Sequence, residues 1–91
     1  MVVSPNGDGI NDFLHIFNIE NYPDNKFILY NRNGVKVFEM LNYDNATHVF
    51  IGRSNITGAL QQQGTYLYQL EYKVNGVFKR KTGFTELRYS N

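Results

Sequence analysis

The residues whose types and spacing could do chemistry are concentrated in the opening stretch Ser4-Pro5-Asn6-Gly7-Asp8-Gly9-Ile10-Asn11-Asp12. Side-chain oxygens at alternating positions around a glycine are what a hard cation such as calcium takes as ligands. With Ser4 as the first position, Asn6 is third, Asp8 fifth, Gly9 sixth and Asp12 ninth, which matches the start of a calcium loop. A serine stands where the first aspartate belongs, however, and His15 where the closing bidentate glutamate belongs. The same residues suffice without an ion. Pro5 fixes one backbone angle, Gly7 and Gly9 permit positive φ, and the Asn and Asp side chains can bond back to nearby amides in Asx-turns. The ion-free loop is the preferred reading, with Asn6, Asp8 and Asp12 as the calcium candidates and no other metal or cofactor expected.

Enzymatic chemistry finds little to work with. His15 falls in an expected strand and His48 in a loop, and neither accompanies a serine or cysteine in a recognisable nucleophile signature. No glycine-rich loop precedes a helix, as a phosphate cradle requires. The chain is not read as an enzyme. The basic run Lys79-Arg80-Lys81, with Arg88 beyond it, carries aromatic neighbours. Nucleic-acid binding is one reading of such a run. A charged exterior guarding an edge strand explains it better, and a docking patch for a protein partner stays open. The sequons Asn45-Ala46-Thr47 and Asn55-Ile56-Thr57 are short enough to recur by chance in loops.

The elements that must position these residues are short strands. The 91 residues make one domain, 1–91, with a formal net charge of +1, so bulk charge argues for neither nucleic acid nor membrane. There is no cysteine, which excludes a disulfide scaffold and a thiolate metal site. No apolar run is long enough to span a bilayer. Met1 reads as an added start residue and the chain as a domain excised from a longer protein.

Residues 13–19 (FLHIFNI) read as a strand, 26–32 (KFILYNR) as a second and 35–40 (VKVFEM) as a third, the last two joined at Asn33-Gly34. A two-residue turn there sets Leu29 opposite Phe38 and Phe27 opposite Met40. The middle of the chain is punctuated by Asn and Gly, with a short strand expected at 49–51 and another near Leu60. From Thr65 to Val74 the alternation is clear: Tyr66, Tyr68, Leu70, Tyr72 and Val74 share a face, with Leu67 the exception. At Asn75-Gly76 a plain two-residue turn would put Lys79 and Lys81 on that apolar face. A three-residue turn with a bulge at Gly76 instead brings Phe78 opposite Tyr72 and Phe84 opposite Tyr66, so the bulge is expected. About seven short strands without a helical period predict an all-β fold, an Ig-like antiparallel β-sandwich, with a small partly open barrel as the alternative.

The motifs SPNGDGIND (4–12), ENYPDNKFILYNRNG (20–34), NYDN (42–45), GTYLYQLEY (64–72) and KTGFTELR (81–88) resemble, in order and across essentially the whole chain, the gliding motility-associated C-terminal domain. This is the type B sorting domain of proteins exported by the type IX secretion system of Bacteroidetes. The chain departs from the family pattern at Asn33, where an aromatic is usual, and at Phe50-Ile51-Gly52, where a Trp-Asp-Gly motif is expected. The usual Leu-Pro before GTY is Leu60 followed by glutamines. The resemblance implies a non-catalytic, Ig-like secretion signal that passes via the periplasm to the cell surface or medium. It implies recognition by the type IX translocon and a PorP/SprF-type outer-membrane protein, with a surface adhesin as frequent cargo. Partner recognition is assigned to Asn6, Asp8, Asn11, Asp12, Arg32, Lys79, Arg80, Lys81 and Arg88. An Ig-like adhesion or glycan-binding module, with or without calcium, is the alternative.

Overall fold

The computed structural model describes residues 2–4, 7 and 12–89. They build one sheet from β1 (Val2–Val3), β2 (Asn25–Tyr30), β3 (Lys36–Leu41), β4 (Gly64–Val74) and β5 (Val77–Leu87), in the order β1-β5-β4-β2-β3. All neighbours are antiparallel except β1, which runs parallel to the end of β5. The only helical turn among the described residues is a 3₁₀ turn at Ile19–Asn21.

One face of the sheet carries the core. Phe27 and Leu29 of β2 are fully buried, flanked by Phe38 of β3 and by Tyr66, Tyr68 and Leu70 of β4. The ring of Phe27 lies 6.2 Å from Phe38, 5.0 Å from Tyr43 and 6.1 Å from Tyr68, and Phe38 meets Phe50 edge-on at 5.0 Å. Leu14, Ile16, Ile19, Tyr43 and Phe50 cover this face from the non-strand segments 13–24 and 42–60.

The all-β, largely antiparallel expectation holds, but the layer opposite the sheet differs from that of a seven-strand sandwich. Residues 13–19 alternate buried and exposed as a strand would, yet pair with no strand. Asn18 turns left-handed at φ 65° and the 3₁₀ turn follows, ending the extended run. Residues 49–51 are likewise irregular, and Leu60 makes only an isolated bridge with Arg53.

The two hairpins exchange their expected turns. Between β2 and β3, Asn31 N–H donates to Val35 O and Gly34, at φ 78°, closes a longer turn. A bulge between Leu29 and Tyr30 in the pairing restores Leu29↔Phe38 and Phe27↔Met40, as the apolar pattern requires. Between β4 and β5 the bulge is absent. Val74 pairs with Val77, Tyr72 with Lys79, Leu70 with Lys81 and Glu71 with Arg80. Asn75 at φ 50° and Gly76 at φ 80° form the two-residue turn whose twist suits a hairpin. Local turn geometry wins here because the core does not reach residues 77–82, all of which are exposed. Lys79 and Lys81 therefore share the core-side face at no burial cost, while Phe78 and Phe84 point to the other side.

Candidate recognition surface

The sheet is joined to its covering segments by side-chain amides that imitate backbone. Asn45 accepts from Ile16 N–H at 2.8 Å and donates to Ile16 O at 2.7 Å. Asn55 does the same to Glu39, accepting at 3.0 Å and donating at 2.6 Å. Asn25 accepts from Tyr43 N–H at 2.8 Å and donates to the carbonyls of Tyr22 and Tyr43. Each planar amide presents one donor and one acceptor in the spacing a neighbouring strand would offer. The amides of both sequon asparagines, Asn45 and Asn55, are thus committed to structure.

Tyr43 adds a buried anchor. Its hydroxyl donates to Leu14 O at 2.6 Å and accepts from Phe50 N–H at 2.8 Å. Burial pushes its ionisation well above the usual tyrosine range. Next to it, Asp44 accepts from the N–H groups of Ala46, Thr47 and His48 and lies 3.0 Å from His48 Nδ1. The Ala46 N–H, with the His48 side chain next, holds its carboxyl far below the usual carboxylate range. These loops keep their shape through their own hydrogen bonds.

In the opening stretch, Ser4 is buried and Asp12 accepts from Gly7 N–H at 3.1 Å, a bond that spans five residues of the loop. Asn6, Asp8 and Asn11 lie outside the described residues. Of the calcium candidates only Asp12 lies among the described residues, which contain no cluster of three potential metal-binding side chains.

The predicted cations do not form one patch. Lys79 and Lys81 share a face of β5 and have no ion partner among the described residues. Arg80 lies on the opposite face, 3.6 Å from Glu71. Arg88 follows β5 at the far end, 3.9 Å from Glu86, and exposed Arg32 sits in the β2–β3 turn.

Two features were not anticipated from sequence. On the outer face, Tyr30, Leu67 and Phe84 form one cross-strand row, with Leu67 and Phe84 exposed. On the core side, a groove of about 510 Å³ opens between β4–β5 and the segment 15–19, lined by His15, Phe17, Tyr68, Tyr72 and Lys81. Phe17 at its rim is 83% exposed. Exposed aromatics beside an unpaired strand would have been the signal, and the mistaken β5 register turned Phe78 and Phe84 inward.

Residues 1–87 match the model of the CHU_C type IX secretion signal domain, a span that takes in every strand from β1 to the last residue of β5. The chain belongs to this family. No curated protein and no solved structure matches it significantly. A type IX secretion signal domain is a sorting signal, and membership implies export and a surface or extracellular location. The family is non-catalytic, in keeping with a surface built from aromatics, amide-bonded loops and separated cations.

Proposed function

We propose that this type IX secretion signal domain is a non-catalytic C-terminal address label whose folded surface is read by the type IX translocon and by a PorP/SprF-type outer-membrane protein. The cargo reaches the machinery via the periplasm and is a large surface protein, such as a gliding adhesin of the SprB kind. The family match over residues 1–87 carries the reading. The asparagine-bonded loops support it, since a label must present a constant shape without help from a ligand.

The test is a reporter with a periplasmic signal peptide, fused ahead of residues 1–91 in a type IX-competent strain. The fusion is expected in the medium or at the cell surface, and the reporter alone in the periplasm. Equal export of both would refute the proposal. Within the fusion, Asp8→Ala and Arg32→Ala are each expected to lower export without lowering the level of folded protein.

A further inference from the structure

The two borders of the sheet are treated differently. At β3 the border is blocked at its middle, where Asn55 occupies the N–H and C=O of Glu39. At β5 the described residues cover only the end: β1 pairs with Glu86 and Leu87, and Arg88 N–H donates to Val3 O at 2.9 Å. By the two-residue alternation of a strand, Phe84, Thr82, Arg80 and Phe78 turn their N–H and C=O toward the same side as Arg88. Among the described residues no strand pairs with β5 on that side from Val77 to Phe84.

The side chains along this open border are sorted by face. Lys79 and Lys81 lie on the core-side face, Lys81 at the groove, while Phe78 and Phe84, 62% and 69% exposed, flank Arg80 and Thr82 on the other. A second copy of the domain is a poor occupant. Edge-to-edge pairing would set the run Lys79-Arg80-Lys81 against itself, and like charges across a strand pair are destabilising. An acidic strand meets the opposite balance.

We propose that β5 is a strand-addition site for an extended acidic segment of a partner protein, with acidic side chains facing Lys79 and Lys81 and apolar ones facing Phe78 and Phe84. The segment forms main-chain hydrogen bonds with Phe84, Thr82 and Arg80 and continues the sheet beyond β1. Main-chain bonds supply affinity in this mode, and the alternating side chains supply selectivity. The inference rests on the sorting reading for the source of that segment, a component of the export machinery, and names its chemistry.

The probe is an octapeptide alternating glutamate and valine, compared with its lysine–valine counterpart, titrated into ¹⁵N-labelled residues 1–91. The acidic peptide is expected to shift the amides of Phe84, Thr82 and Arg80 and to slow their hydrogen exchange at least tenfold, and the basic peptide to do neither. Thr82→Pro removes an N–H facing the border while sparing the β4 ladder, and should abolish the effect. Lys79→Glu with Lys81→Glu should weaken it at least tenfold, with Lys73→Glu as the control. No shift along β5, equal response to both peptides, or unchanged binding by the double lysine variant would overturn the proposal. So would a concentration-dependent dimer whose border amides are already protected. The same variants in the export fusion separate the two ideas. Export of the unaltered domain together with full export of Thr82→Pro and the lysine variant defeats the strand-addition site alone. Failure of the unaltered domain defeats the sorting reading, and the peptide titration still decides the border.

Discussion

Gly83 lies directly beneath the ring of Tyr68, its partner across the β4–β5 ladder. A Cβ at position 83 would fall 2.7 Å from both Cε2 and the hydroxyl of Tyr68. The ring cannot move aside cheaply, since Tyr68 is buried and stacks with Phe27. The bare backbone at 83 lets an aromatic fold over a strand that offers little other apolar cover.

Gly83→Ala should therefore destabilise the domain by about 1–3 kcal/mol, the usual cost of forcing extra volume into a packed contact. The measurement is the midpoint of urea unfolding, with the slope unchanged. A midpoint equal to that of the unaltered domain would mean the ring is free to relocate.

Asn45 should matter more than its place in a loop suggests. Its φ of 63° is one that glycine also adopts, so Asn45→Gly keeps the backbone and removes only the amide. The N–H and C=O of Ile16 then lose their partners, at a cost of about 1–3 kcal/mol for groups taken partly out of water. Hydrogen exchange at Ile16 should accelerate by at least tenfold while the β2 and β4 amides change far less. Uniform acceleration throughout would show that the segment 13–19 is not held locally by this amide.

Two ionisable groups should shape the stability profile at opposite ends of the pH scale. Tyr43 is raised above its ordinary 10.0 by burial, so the unfolded chain loses that proton first and stability falls as pH rises above about 10. Tyr66 and Tyr89 are raised in the same direction by burial and add to the fall. Asp44 is lowered below its ordinary 3.8, chiefly by the Ala46 N–H, so its contribution is present above that value and is lost as pH falls below it. In thermal melts, Tyr43→Phe should flatten the alkaline limb and Asp44→Asn the acid limb. Limbs that keep their slopes in these variants would contradict the assignment.

Much of the sheet was legible in the chain because burial on one face forces alternation. Tyr66, Tyr68, Leu70 and Tyr72 declare β4, and the pairs Leu29–Phe38 and Phe27–Met40 follow from matching apolar sets. Residues 13–19 misled for the same reason. An extended segment laid over a core alternates whether or not a strand lies beside it, and only Asn45, reaching back from a distant position, shows that a side chain is bonded where a ladder would be. Of the recognition residues, Arg32 was expected at the end of a strand 26–32 beside the Asn33-Gly34 turn, and the structure ends β2 at Tyr30 and places it in the turn itself. The separation of Arg80 from Lys79 and Lys81 needed the register.

The sequence by itself determined the strand-rich character, the apolar face of β2 and β4, and the family to which the chain belongs, since these follow from residue type and order alone. Tertiary structure decided the turn at Asn75-Gly76, the single sheet with an irregular cover, and a border of β5 along which no described strand pairs from Val77 to Phe84. Turn choice depends on whether a core lies beneath the strands it joins, and along residues 77–82 none does. Burial that a residue never experiences cannot be read from its hydropathy.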